Sequence, residues 1–345
     1  MLYSISALCG EAIMILTPAD IQALILKMGS ISNTAYYMGR NESTIRSALR
    51  NNRPLRVSPL VEKNHSLEEE NRILKLSLSK VEVQTKPRII PGNSKAMTVL
   101  AIGDSHDQPN IDKERFKWMG KHAAQMKPDR IVHIGDFASW DSMSTHEERG
   151  SHGHAQRPSF KTDLESCEEA MAAFYKEIHH LDIPQDMVAG NHEDRINRFE
   201  NKNPETIGTL WAQFDEMTAR YRWRVHAYGQ WVMVDGVGFI HVPMNIMGRP
   251  YGGQNSENQI ANHATHSIVF GHTHRSSFRK VPKIGINNSI EVLNLGSSMP
   301  DGYIAKYAGT ATTGWSYGIY ELQIQAGHIL QYRHISMRQL EEQYA

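Results

Sequence analysis

Residues 99–106 read VLAIGDSH: four apolar residues, a glycine, then an aspartate and a histidine two positions apart. Four later stretches follow the same grammar. They are IVHIGDF at 131–137, MVAGNHE at 187–193, FIH at 239–241 and IVFGHTH at 268–274. Short continuous apolar runs fit strands buried on both faces. Polar side chains placed directly after each run put the chemistry at one edge of a sheet. A further run, Val292–Leu295, belongs to the same set, and Ser316–Gln325 alternates as a late strand before a turn at Ala326–Gly327. Arg115–Met126 and Asp163–His179 carry helical spacing between the runs. The fold class is therefore α/β.

The composition agrees. A chain of 345 residues suggests about two domains. With 40% hydrophobic and 21% charged residues it is neither disordered nor repetitive. Lys+Arg and Asp+Glu both number 37, which excludes a uniformly basic nucleic-acid coat. The two cysteines, Cys9 and Cys167, are too few for a disulfide framework or a zinc-thiolate site. No apolar stretch reaches the roughly 18 residues of a membrane span. Met1–Leu16 lacks a basic start and carries Glu11 within its apolar run, which argues against a secretory signal; translation from Met14 is an alternative reading. A cytoplasmic location is expected, that of the host if the chain is phage-encoded. Histidine, with 18 copies, is the outlier and points to imidazole–carboxylate metal chemistry.

The ordered set Gly103-Asp104-Ser105-His106, Gly135-Asp136, Gly190-Asn191-His192-Glu193, His241 and Gly271-His272-Thr273-His274 resembles the calcineurin-like metallophosphoesterase family. Asn294-Leu295-Gly296-Ser297 is similar to the family too, and the resemblance covers roughly residues 97–331. It implies a β-sandwich flanked by helices and two divalent metal ions. Manganese is favoured, with iron, zinc or nickel as alternatives. Asp136 would bridge the pair, because two close cations need a shared anion. By the resemblance, Asp104, His106 and His274 complete one metal site, and Asn191, His241 and His272 the other. The catalytic residues are then Asp136 and His192. His192 would stabilise charge or protonate the leaving oxygen while a metal-acidified water attacks phosphorus in line. His263 and His266 compete with His241 for its place, and His133 reads as a core histidine. Glu193 stands where the family often carries aspartate, a conservative change. Glycine before each ligand lets the chain turn sharply off its strand.

The N-terminal third has a different texture. Thr17-Pro18 is a helix start, with Ile21, Leu24, Ile25 and Met28 at helical spacing and Gly29 as a stop. The spacing Ala35-x3-Gly39-x5-Ile45 resembles the helix-turn-helix of bacterial and phage DNA-binding proteins. A second helix beginning near Glu42–Ser43 would expose Ser43, Thr44, Arg46, Ser47 and Arg50, with Arg40 just before it. From Thr17 to Arg56 six basic residues face two acidic ones, a local excess suited to phosphate contacts. A bundle that binds a protein is the alternative. Leu67, Leu74 and Val81, with Asn71 and Leu78, fit two heptad positions, so residues 66–84 read as an amphipathic or coiled-coil helix that pairs two copies.

The expected organisation is thus an uncertain segment at 1–16, a small all-α helix-turn-helix module at 17–53, a linker at 54–65, the pairing helix at 66–84, a linker at 85–96, the phosphoesterase domain at 97–335 and a tail at 336–345. The expected partners are DNA and further copies of the chain, as a homodimer or higher oligomer, without a membrane. The leading reading is a DNA-cleaving phosphodiesterase. A phosphomonoesterase or small-nucleotide phosphodiesterase is the alternative, and a DNA-binding regulator with an inactive phosphoesterase domain is a third reading. Arg195 is the expected substrate-phosphate contact. His146, Arg149, His152 and His154 in the polar stretch 138–160, with Arg249, are further phosphate candidates. Trp140, Trp231 and Tyr251 are aromatic candidates for stacking on a base.

Overall fold

The computed structural model describes residues 14–38, 40–57, 88–89, 95–145, 150–284, 288–305, 308 and 314–345. The chain divides into two compact units, Met1–Lys86 and Pro87–Ala345. The heptad segment 66–84, Gly39, His146 and Arg149 lie outside the described residues.

In the first unit, strand β1 (Met14–Leu16) leads into helices α1 (Pro18–Met28), α2 (Ile31–Tyr37) and α3 (Glu42–Arg50). Thr17 and Asp20 cap α1 reciprocally, and Gly29 ends it in a left-handed conformation. Asn41 caps α3 by accepting the Thr44 N–H at 3.0 Å. Ile21, Ala35, Met38, Ile45 and Ala48 meet in a small core that Leu16 closes. The unit is not all-α: β2 (Leu55–Val57) pairs antiparallel with β1, inside a segment expected to be linker. A three-residue strand beside Pro54 is too short to show a period in sequence.

The second unit is built on two six-stranded sheets. One has the order β14-β13-β4-β5-β6-β7 and the other β11-β12-β10-β9-β8-β3. In the first sheet, β4 (Met97–Ile102), β5 (Arg130–His133), β6 (Gln185–Val188) and β7 (Trp223–His226) run parallel. The long strands β13 (Gly318–Gln325) and β14 (His328–Ser336) flank them antiparallel. In the second sheet, β9 (Val237–Phe239), β10 (Ile268–Phe270) and β12 (Ser289–Leu295) run parallel. The antiparallel neighbours there are β8 (Val232–Val234) and β11 (Ser276–Pro282). The pair Arg88–Ile89 forms β3 on β8, again inside an expected linker.

Strand alternation explains the layers. Val99 and Ala101 of β4 point between the sheets, where they meet Val132, Val188, Phe239, Val269 and Leu293. Leu100 and Ile102 point the other way, onto α4 (Glu114–Met126) and α6 (Phe160–Ile178), which follows the single-turn helix α5 (His152–Ala155). Beyond β6 lie α7 (Asp194–Lys202) and α8 (Leu210–Arg220), and α9 (Ser256–His263) covers the outer face of the second sheet. Both faces of each central strand are buried, which is why these runs are continuously apolar. The expected tail 336–345 is instead helix α10 (Met337–Tyr344), capped by Ser336 and Gln339 and anchored by buried Met337 and Leu340. Two buried residues in eight give too weak a period to be read as a helix.

The first unit has few buried side chains to lose. Ile45→Ala removes about 2–5 kcal/mol of core packing. Hydrogen exchange is expected to collapse in α1–α3 while the amides of β4–β6 keep their protection. Unchanged protection in α1–α3 would show that this core does not hold the helices.

Candidate metal centre

The C-terminal ends of β4, β5, β6, β9 and β10 deliver Asp104, His106, Asp136, Asn191, His192, His241, His272 and His274 to one edge. Three groups among them have ligand atoms within 4.8 Å of one another: Asp104–His106–His274, His106–Asp136–His192 and Asp136–His241–His272. Asp136 belongs to two of these, and its Oδ2 lies 3.4 Å from His241 Nε2, 3.7 Å from His106 Nε2 and 3.9 Å from His192 Nε2. Asn191 joins through Oδ1, 2.9 Å from His241 Nε2.

The turns that present these groups are strained. His106, Asp136, His272 and His274 all have positive φ, between 43° and 69°, a region that non-glycine residues seldom occupy. The preceding glycines play a different part from the one expected. Gly135 alone has a positive φ, +97°. Gly103, Gly190 and Gly271 are required for space. A Cβ at Gly103 would lie 2.5 Å from the Gly296 carbonyl oxygen, at Gly271 2.5 Å from Asp104 Oδ1, and at Gly190 it would collide with the Asp136 carboxylate.

A lattice of hydrogen bonds holds the turns. The Asp136 carbonyl accepts from the Ser105 and His106 N–H groups at 3.0 and 2.8 Å. Asp136 Oδ1 accepts the His192 N–H at 2.8 Å, and Asp104 Oδ2 accepts the His272 N–H at 2.9 Å. Glu193, fully buried, takes N–H groups of Asp136 and Gly190 on one oxygen, both at 2.8 Å. Its other oxygen takes those of Phe137, Ala138 and the Trp140 indole. Asn294 donates to Thr273 Oγ1 at 2.6 Å and to buried Glu257, bracing the loop between His272 and His274. His133 lies behind the cluster, with Nε2 2.7 Å from Ser105 Oγ, which in turn meets Ser298 Oγ at 2.7 Å.

The electrostatics suit cations. Burial pushes the Asp104, Asp136 and Glu193 carboxyls upward, reinforced by their mutual charges. Burial also pushes the imidazoles down, those of His272 and His274 to about 4. His241 Nδ1 donates to the Ile134 carbonyl at 2.9 Å, so a neutral ring turns its Nε2 lone pair toward the Asp136 carboxylate and Asn191 Oδ1. Among the described residues, the buried Asp104 Oδ1 has no hydrogen-bond partner. Converging lone pairs and an orphaned carboxylate oxygen are costly unless a positive charge satisfies them, and mixed nitrogen–oxygen donors suit first-row divalent ions.

Residues 97–276 match the calcineurin-like phosphoesterase family. The chain belongs to that family. It is a metallophosphoesterase, built to hydrolyse phosphoesters with divalent metals. "Gene 54 protein" of Mycobacterium phage L5 is 24% identical over 246 residues, spanning 67% of this chain and 90% of that protein. Among solved structures, the chain is similar to wild-type Vps29 of Entamoeba histolytica complexed with Zn2+: 13% identity, TM-score 0.31, covering 70% of this chain and 99% of that one. A single mutant of the same Vps29 matches with 14% identity and TM-score 0.33, covering 69% of this chain and 98% of that one.

Other candidates take their places around this phosphoesterase centre. His192 Nδ1 donates to the Ser139 carbonyl at 2.8 Å, leaving Nε2 toward the cluster and 3.3 Å from Arg195 Nη2. Arg195 also donates to the Ser139 carbonyl and pairs with Asp141 at 3.4 Å. His263 is exposed and bonded to Tyr251 Oη, and His266 packs on Trp231. Neither joins the three groups, and neither do His152 and His154 on α5. Arg249 is exposed in a turn. Trp140 is fully buried against Phe160 and Phe214, so no base can reach it. The sequence reading missed the five-donor role of Glu193, whose signal was a lone carboxylate beside two expected site residues.

Replacing Glu193 with Gln turns an amide NH2 toward at least two N–H donors. The expected cost is about 2–4 kcal/mol, read as a lower Tm together with less bound metal. An unchanged Tm would remove Glu193 from its place as the link between the loops.

Proposed function

We propose that this phosphoesterase is a metal-dependent phosphodiesterase that cleaves DNA, brought to its substrate by the N-terminal helices. The convergence of Asp104, His106, Asp136, Asn191, His241, His272 and His274 at one strand edge carries the hydrolytic part of the reading. Asp104, His106 and His274 would hold one divalent ion and Asn191, His241 and His272 a second, with Asp136 shared. Such ions, Mn2+ foremost, supply Lewis acidity and lower the pKa of a water near phosphorus. The chain's own groups do the rest. The Ser139 carbonyl fixes the Nδ1 proton of His192, so its Nε2 faces the reacting atoms as an acceptor; it can first take the proton released by the attacking water and then pass that proton to the leaving oxygen. Burial, and after it the Arg195 charge, oppose protonation of His192, and a phosphoryl anion offsets the second. Arg195, held by Ser139 and Asp141, then keeps one guanidinium edge for that anion.

Surface chemistry supports the DNA part. Helix α3 exposes Ser43, Arg46, Ser47 and Arg50, while Ala35 and Ile45 lie in the core as a helix-turn-helix requires. Some of the expected contacts are partly committed within the unit. Arg40 Nη2 donates to the Arg56 carbonyl at 2.7 Å, Arg46 pairs with Glu42 at 3.3 Å, and the Ser43 and Thr44 hydroxyls donate to Asn41. Arg50, Arg53 and Arg56 extend the basic surface. Two copies joined through residues 66–84 would present paired modules to two half-sites.

The test is Mn2+-dependent turnover of supercoiled plasmid beside methyl p-nitrophenyl phosphate. Wild type is expected to nick or degrade the plasmid, and His192→Ala to slow both substrates about a hundredfold or more with metal retained. Replacing Arg46 and Arg50 with Ala is expected to raise KM for plasmid and flatten its salt dependence by about one unit of slope per lost phosphate contact. An intact plasmid beside a hydrolysed small diester would move the activity to a small phosphoester.

A further inference from the structure

The metal centre has two ends, and each carries an aromatic ring that the sequence reading did not single out. At one end Trp315 meets His274 edge-on, with ring centroids 4.7 Å apart and planes at 77°. At the other, Tyr228 lies 6.2 Å from the His241 ring, with planes at 55°. His274 clusters with Asp104 and His106, whereas His241 clusters with Asp136 and His272. The two aromatics therefore flank different halves of the centre. Both are half-buried, so each is braced against the protein while keeping surface open to solvent.

A charged pair stands near the Tyr228 ring. Arg198, on α7, is more than half exposed and is fixed in place. Its Nη2 donates to the Asn191 carbonyl at 2.6 Å and its Nε lies 3.1 Å from Asp194. Arg198 and Asp194 stand close enough for their charges to act on the Tyr228 phenol. One end of the centre thus offers a ring beside an anchored guanidinium, and the other a tryptophan set edge-on to His274.

A ring one side chain away from a metal ligand lies at the distance a planar substituent reaches when a sugar joins it to the reacting phosphate. Stacking of this kind needs no particular base, because every base has a π-face. A base inside a duplex is already stacked and offers no free face, so rings beside a reaction centre favour unpaired nucleotides. We infer that Trp315 and Tyr228 are base-stacking platforms on the two sides of the scissile phosphate. Arg198 takes the next phosphate on the Tyr228 side, and the preferred substrate is a single-stranded or frayed segment of nucleic acid. This rests on the phosphodiesterase reading above and names which part of the nucleic acid enters the centre.

The experiment compares two probes on the whole, metal-loaded protein: a short oligothymidylate, and an oligomer of equal length built from abasic tetrahydrofuran units. Both carry the same phosphates, and only one carries bases. Wild type is expected to prefer oligothymidylate by about tenfold or more in kcat/KM, expressed mainly in KM. Trp315→Leu and Tyr228→Leu are each expected to shrink that preference severalfold, and Trp315→Phe to restore most of it. Bound metal, measured on every variant, separates stacking from support of the histidines. A preference that stays at its wild-type value in both leucine variants overturns the inference, as does a loss confined to variants that also lose metal. Equal cleavage of the two probes by wild type overturns stacking and leaves the phosphodiesterase reading standing. Cleavage of neither probe, with plasmid still nicked, overturns the single-strand inference and leaves the phosphodiesterase reading standing; both probes and plasmid left intact, with methyl p-nitrophenyl phosphate still hydrolysed, overturn both.

Discussion

A single buried carboxylate ties the centre together. Glu193 follows His192 at the end of β6, yet three of its five donors are backbone N–H groups of the loop after β5. That loop answers through Asp136 Oδ1, which accepts the His192 N–H. The two loops therefore latch each other in both directions, and the latch consists of charge-assisted hydrogen bonds shielded from water, the strong kind. Burying a carboxylate is costly on its own, and five N–H donors are what make it tolerable here. A side chain one methylene shorter has less reach to span both loops, so the exchange of aspartate for glutamate at this position is a geometric matter more than a chemical one.

The latch also bears strain. Four residues of the centre hold positive φ, a conformation that costs on the order of 1–3 kcal/mol each for residues with a Cβ. The compensation is local. The Asp136 carbonyl takes two N–H groups from the turn after β4, Asp104 takes one from the turn after β10, and the His274 carbonyl takes the Ser316 N–H at 2.8 Å. Each strained turn is thus held by a bond from a different strand end. Loosening one should be felt by the others, because most of these bonds run between loops.

The same geometry explains what was legible in the sequence. The strand runs were readable because both faces of β4, β5, β6 and β10 are buried and the apolar signal has no gaps. The residues of the centre were readable because they follow those runs directly. Three features were not. The glycines before the ligands look like turn formers, but Gly103, Gly190 and Gly271 serve packing against a carbonyl or a carboxylate that belongs to another loop. No local pattern carries that information. Strands β1, β2 and β3 have two or three residues each and are specified by their partners, not by their own composition. Trp315 and Tyr228 stand far in sequence from the motifs, and only the fold sets them beside His274 and His241.

The division of labour follows from where each group sits. Hydrolytic chemistry is assigned to side chains that are almost all buried and tied to strand ends by backbone bonds, so their positions tolerate little change. The groups that face outward are of another kind: Trp315, Tyr228, Arg198 and the basic surface of α3 lie half-buried or exposed. Hydrogen bonds among buried groups are cooperative and punish substitution, whereas surface substitutions away from such networks usually cost under about 0.5 kcal/mol. A dimetal centre of this form accepts many phosphoesters, because its donors address phosphorus and its oxygens and nothing beyond them. On the proposed reading, selectivity comes from the outer set, which can change residue by residue without disturbing the latch around Glu193.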